Sequence, residues 1–412
     1  MGNEPNTAPQ PWETSRYPRL VLNLGRALLQ VGSPAHRMET AMQIMADRLH
    51  LQAEFFCTPT ALFVTLSDGD RQQTYLARVE PGATDLCRLS DLSDVMENLA
   101  SGALDPNEAD RQVRAIMARP PAYGKLVTVL AYVMISAGAC GLIGGGLRES
   151  ALAAVLGGIT GLSVTLLWQA SEFSRLLNPL SATLVTFFGT LWCGFDAHTA
   201  LTPAVIAGMI ALIPGMNLTA SARELATGHQ VSGAARLATT LIVFALLTVG
   251  LALGGWLAQM ITGPLDARAV SELPLWAIPA GLVASTFGFV ILFQARWRDW
   301  GWIGLACILA WSCSRLAGAT GSPLLGAFAG ALIVGLSGNL FARWTGRPGS
   351  ILHLPALILL VPGSIGMKSL SALLGQDVVA GVEGAFLAGT VAVALATGLI
   401  LASALVPPRT SL

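Results

Sequence analysis

The stretch Leu212-Ile213-Pro214-Gly215 sets a helix-breaking pair inside apolar sequence, and Leu360-Val361-Pro362-Gly363 repeats it 148 residues later (362 − 214). A polar, serine-containing run follows each, Met216 to His229 and Ser364 to Asp377. At the same offset Ser221 matches Ser369, Leu225 matches Leu373 and Gly233 matches Gly381. Proline removes a backbone donor and clashes with the preceding turn. In lipid such a break is tolerated only where protein or a water-filled cavity satisfies the freed groups. Two readings fit one Pro-Gly pair: it ends a helix at the membrane surface, or it interrupts one beside a buried site. Its repetition favours the second, with the site between two half-proteins.

The surrounding composition is that of an integral membrane protein. Of 412 residues 53% are hydrophobic and 12% charged, and the mean hydropathy is +0.62; soluble domains carry about twice that charge fraction. Lys+Arg and Asp+Glu balance at 24 each, which gives no pull toward nucleic acid. The 44 glycines suit close helix packing in lipid and leave self-association open. Met1 to Pro18 lacks the apolar core of a signal peptide, so the front segment is expected to remain on the cytoplasmic side. The six cysteines show no metal-binding spacing and read as small buried hydrophobes.

Working outward, residues 1–15 read as a disordered tail and 16–120 as a cytoplasmic α+β domain. Leu20, Leu24, Ala27, Leu28 and Val31 recur at helical spacing. Ser33-Pro34 opens a second helix, Ser33 as its N-cap, with Met38, Met42, Met45 and Leu49 on one face. Strands are expected at 61–67 and 73–79 around an Asp68-Gly69-Asp70 turn, and amphipathic helices at 85–99 and 106–117. Beyond Pro120-Pro121, ten apolar stretches fall near 125–146, 150–168, 178–195, 199–216, 234–261, 274–293, 300–317, 322–342, 350–367 and 378–406, most close to the ~20 residues of a spanning helix. Arginine and lysine concentrate in alternate loops, which places both termini inside. Repeats of five helices, 121–261 and 262–412, must run in opposite directions. Inverted repeats with paired interruptions are a secondary-transporter design. The expected fold is an α-helical polytopic membrane protein: two five-helix inverted repeats behind a small α+β domain.

Candidate binding residues cluster at the breaks: Pro214, Gly215, Asn217, Thr219, Ser221, Arg223 and Glu224 in the first half, Pro362, Gly363 and Ser364 in the second. A helix restarting after each break aims amides and a positive dipole end at an anion. An amino-acid carboxylate would sit there, with Glu224 accepting its ammonium; a dicarboxylate would need two cations, for which Arg223 and Arg236 serve. The plainer reading makes 217–233 a surface loop with solvated charges. Glu383 is the most conspicuous acid in a long apolar run and is a coupling candidate or a paired structural acid. Arg148-Glu149 is expected in a tight outer loop. The five histidines lack zinc-ligand spacing, and no GxSxG, Walker A or HExxH motif occurs. No catalytic residues, metal or cofactor are therefore expected, and an ion gradient is a better energy source than ATP. A receptor working through residues 16–118 is the reading from another class.

Several of these stretches resemble the bacterial threonine/serine exporter family. They are Gly32-Ser-Pro-Ala-His-Arg37-Met-Glu39, Ile213-Pro-Gly followed by Ala222-Arg-Glu-Leu-Ala-Thr-Gly, Ser232-Gly-Ala-Ala-Arg236, and Val361-Pro-Gly-Ser in the second half. The resemblance runs from about residue 17 onward, in the form that fuses the family's two units. It implies a ten-helix inner-membrane exporter of threonine and serine, driven by the proton gradient or membrane potential. Split-chain relatives are associated with dicarboxylate (succinate) export, so the resemblance leaves the substrate open. Glu224 stands where many relatives carry aspartate, which keeps the charge. Arg37 and Glu39 either hold the soluble domain against the membrane part or pair within their own helix.

Overall fold

The computed structural model describes residues 17–67, 72–167, 176–266, 268–360 and 362–407. The expected tail, the Asp68-Gly69-Asp70 turn and Val361 lie outside them. Residues 17–118 form an α+β head: α1 (Tyr17–Gln30), α2 (Ala35–Arg48), strands β1 (Gln52–Thr58), β2 (Ala61–Ser67) and β3 (Gln72–Arg78), then α3 (Leu86–Ala100) and α4 (Pro106–Ala118). The strands make an antiparallel meander in the order β1-β2-β3, with Ala53 opposite Leu66 and Thr58 opposite Ala61. Leu62, Val64 and Leu66 alternate inward from β2 and meet Leu24, Met38, Met42 and Met45 of the two helices in one buried core.

Two details of the head differ from expectation. Strand β1 is additional: Phe55-Phe56-Cys57 is β-forming but follows directly on the α2 pattern, and Pro59-Thr60 turns it back into β2. Helix α2 starts at Ala35 with Pro34 in the cap position and no side-chain cap bond, so Ser33 does not cap it. Asp85 does cap α3, accepting from the Arg88 amide at 2.9 Å.

The regular elements among the remaining described residues are helices: α5 (Lys125–Leu142), α6 (Leu147–Leu167), α7 (Leu177–Phe195), α8 (Leu201–Gly208), α9 (Gly215–Ala226) and α10 (Gln230–Thr262), then α11 (Ala277–Leu292), α12 (Trp300–Gly318), α13 (Pro323–Thr345), α14 (Ser350–Ile358), α15 (Gly363–Leu374) and α16 (Val378–Leu405). Among the described residues seven helical stretches are long and apolar enough to cross a membrane. Phe195, Trp256, Leu275 and Phe386 stay exposed on this part, the surface a bilayer would cover.

Glycine contacts fix the helix directions. Gly138 of α5 packs on Gly281 and Ser285 of α11, and Gly288 packs on Ala131 and Ile135, so this pair is antiparallel. Gly250 meets Pro179 to Thr183, and Gly194 meets Thr262, so α7 and α10 are parallel. Gly398 meets Phe328 to Leu332, and Gly335 meets Ala402, which makes α13 and α16 parallel too. The chain between each parallel pair must come back across, and in both places it does so as a helix broken before Pro-Gly. The first break frees the Gly208 carbonyl, which accepts from the Thr160 hydroxyl at 2.8 Å. Protein thus supplies the partner that lipid cannot.

Candidate functional site

Helix α9 restarts at Gly215 behind Pro214, and α15 at Gly363 behind Pro362. The two restarts touch: a β-carbon on Gly363 would meet Ile213 and Gly215. On the head side of the first break lies a cavity of about 350 Å³, within the size range of small-molecule sites. Its membrane-side wall carries Asn217, Thr219 and Arg223 of α9, Arg236 of α10, and Ser350 and His353 of α14; its roof is the head, including Ser33, Arg37, Thr60 and Thr84.

Two of the wall's polar atoms, Arg223 Nε and Ser350 Oγ, are buried without a hydrogen-bond partner. Buried polar groups are ordinarily satisfied, so these two point to an occupant. Arg37 Nη2 donates to His353 Nδ1 at 2.9 Å, and His353 Nε2 donates to the Gly335 carbonyl at 3.3 Å. A guanidinium cannot accept and a carbonyl cannot donate, so this histidine is the neutral Nε2–H tautomer and adds no charge. A β-carbon on Gly338 would stand 2.1 Å from His353 Nε2, so only glycine leaves room for the ring. Burial, with the Arg223 charge close by, pulls the Arg37 guanidinium below its ordinary value.

The predicted residues divide. Asn217, Thr219 and Arg223 come together at the cavity. Ser221 is buried, its hydroxyl donating to the Leu218 carbonyl at 2.8 Å. Glu224 is fully buried and accepts from Arg236 Nε at 3.0 Å and Nη2 at 3.1 Å, and from Ser232 at 3.1 Å. Pro214, Gly215, Pro362 and Gly363 are buried at the breaks, whereas Ser364 is half-buried and Glu383 exposed, both away from the cavity walls. Sequence reasoning missed Arg37, Ser350 and His353 as wall residues. His353 carried a signal: it is the one ionisable residue in the apolar run 350–367.

Residues 19–257 match the family model of putative threonine/serine exporters, and residues 280–405 match that of the threonine/serine exporter ThrE. The chain belongs to the threonine/serine exporter family. It is 25% identical over 378 residues to pheromone-regulated membrane protein 10 of Pichia sorbitophila, covering 85% of this chain and 36% of that protein. Against the Debaryomyces hansenii protein of the same name it is 26% identical over 396 residues, covering 89% and 37%. For Saccharomyces cerevisiae the figures are 26% over 367 residues, 85% and 47%. The chain thus spans under half the length of these relatives. No solved structure matches it.

The Gly32–Glu39 segment that carried the resemblance to this exporter family docks the head onto the membrane helices. Besides Arg37 on His353, Glu39 Oε2 lies 3.2 Å from His229 Nε2, and its other oxygen accepts from the Cys57 amide at 2.6 Å. Elsewhere in the exporter-family fold, Arg296 pairs with Asp91, the Leu86 amide donates to the Phe293 carbonyl at 2.9 Å, and the Tyr123 hydroxyl donates to the Ala295 carbonyl at 2.7 Å. At the start of α6, Glu149 proves to be no loop residue. It is fully buried and accepts from the amides of Gly146 (3.0 Å), Ala200 (2.9 Å) and Ser271 (3.2 Å) and from the Ser271 hydroxyl at 2.5 Å.

Proposed function

We propose that this protein is a secondary exporter of small hydrophilic solutes bearing a carboxylate, threonine and serine first among them. It works across a bacterial inner membrane, with both termini cytoplasmic, and draws on the proton gradient or membrane potential. Family membership supports the transporter class. The observation that carries the reading is the cavity at the first helix break, where a cationic wall and unpartnered polar atoms face space for a small molecule. Ten passes in two inverted repeats, with the head as a separate unit, is the architecture we propose. Its support lies in the antiparallel α5–α11 pair, the two parallel pairs, and the equal offset of two packing contacts, Gly233 on Leu225 and Gly381 on Leu373.

One observation favours a dicarboxylate as the alternative cargo. Glu224 is already held by Arg236 and Ser232, so it offers a substrate ammonium little, while Arg37 and Arg223 form no ion pair among the described residues. The curated relatives named here are called pheromone-regulated membrane proteins, a name that gives no cargo, and a membrane receptor or regulator acting through the head is the alternative of another class. Efflux from cells loaded with a threonine-containing dipeptide or with succinate decides between them. Faster threonine loss supports the first reading and faster succinate loss the second. No change in either, with insertion verified, returns the question to the regulator. Glu383 is kept as coupling candidate, and a Gln variant with unaltered pH dependence of efflux removes it.

A further inference from the structure

We propose that Arg37 is a substrate-contacting, specificity-determining residue, so that the head forms part of the transport site and a bound carboxylate holds it docked. The inference rests on the exporter reading for the class of cargo. It stands on geometry otherwise unaccounted for. The cavity is closed by two bodies: without the head, Arg223, Asn217 and His353 would face an open vestibule. Of the three guanidinium groups on its walls, Arg236 is neutralised by Glu224. Arg37 and Arg223 have no carboxylate partner among the described residues, and Arg223 Nε has no partner of any kind.

Two cations without an ion-pair partner among the described residues, on opposite walls of a partly enclosed space, repel each other, and the repulsion grows as water is excluded. An anion between them reverses the sign of that energy, and guanidinium forks match the two oxygens of a carboxylate. His353 orients Arg37 without cancelling its charge, because its lone pair takes one N–H of the fork and leaves the others for a ligand. The occupant that balances this wall is a small solute with at least one carboxylate, contacted by Arg223 from the membrane side and Arg37 from the head. Occupancy then ties head to helices, and release of the latch opens the cavity on that side.

The test uses the full-length protein reconstituted in lipid, with threonine and succinate as probes and chloride at matched ionic strength as control. Transport kinetics are read alongside the rate of chymotryptic cleavage after Tyr123, in the link between head and α5. In wild type the carried solute slows cleavage and chloride does not. Arg37→Gln is expected to lose that protection and to raise KM about tenfold or more, the effect of one lost charge-assisted hydrogen bond, with kcat little changed. Arg37→Lys, which keeps the charge without the fork, falls between and serves if the Gln variant does not insert. Wild-type KM and protection in either variant overturn the inference while leaving the exporter reading intact. Wild-type protein that carries neither probe overturns that reading, and the inference with it.

Discussion

A β-carbon on Gly363 would stand 3.3 Å from the Cα of Gly215 and 2.8 Å from Ile213 Cγ2. Two helix restarts 148 residues apart in the chain therefore meet (363 − 215), each with proline in the cap position. Both present the positive end of a helix dipole, and their close approach is possible because neither position carries a side chain. The two breaks meet at one joint, with the cavity on its head side.

That joint is open to a direct substitution. Gly363→Val puts methyl groups where Ile213 and the Gly215 backbone already are, and overpacking of this kind costs about 1–3 kcal/mol. Thermal unfolding in detergent should show the loss, and efflux should fall with it. Gly389→Ala on α16 is the matched control, because a β-carbon there meets nothing within 4 Å. Equal stability of the two variants would mean the breaks are not in contact.

Much of this arrangement could be read from the chain because proline and periodicity are local signals. Pro214 and Pro362 marked the breaks, and Met38, Met42 and Met45 at helical spacing marked the buried face of α2. What stayed hidden depends on pairs distant in sequence. Arg37 meets His353 across 316 residues, and no local pattern predicts that meeting. Glu224 looked available to an ammonium because its partner Arg236 lies 12 residues on, beyond the turn that folds α10 back on α9. Strand β1 escaped because the turn that joins it to α2, Leu49-His50-Leu51, contains none of the Gly, Pro, Asn or Asp residues that signal a turn.

The Glu224–Arg236 pair makes a sharp energetic prediction. Glu224 is fully buried and the Arg236 side chain 21% exposed, so removing the arginine strands a carboxylate in the interior. Breaking a buried pair from one side costs about 3–5 kcal/mol. Arg236→Gln should therefore destabilise more than Glu224→Gln, whose amide still accepts from Ser232. The double variant should recover part of the loss in a thermal melt. Additive losses would show that the two groups are not coupled.

Cys57 reports on the head. It is buried in β1 with the Glu39 carboxylate beside it, and burial first, then that negative charge, push its thiol pKa up. A raised thiol pKa leaves little thiolate at neutral pH, and reactivity grows only as pH rises well past the ordinary thiol range. In a variant retaining Cys57 as its sole cysteine, maleimide labelling should be slow in folded protein and fast in denaturant. Glu39→Gln should quicken it by removing the charge and loosening the latch to His229. Rapid labelling of the folded single-cysteine variant would contradict the burial of this strand.

Glu149 offers the corresponding test away from the cavity. One carboxylate gathers the α5–α6 turn through Gly146, the α7–α8 turn through Ala200, and the α10–α11 connection through Ser271. All are donors, so they require an acceptor on both oxygens. Glu149→Gln replaces one acceptor by an NH₂ that faces N–H and O–H groups. Each buried donor left unmatched costs about 1–3 kcal/mol, and the three connections should separate before the helices do. Hydrogen exchange should accelerate in residues 263–276 and in the turn preceding α8, while the head core at Leu62 and Val64 keeps its protection. A variant with unchanged exchange in both regions would mean that helix packing alone closes this end, and that the carboxylate is incidental to it.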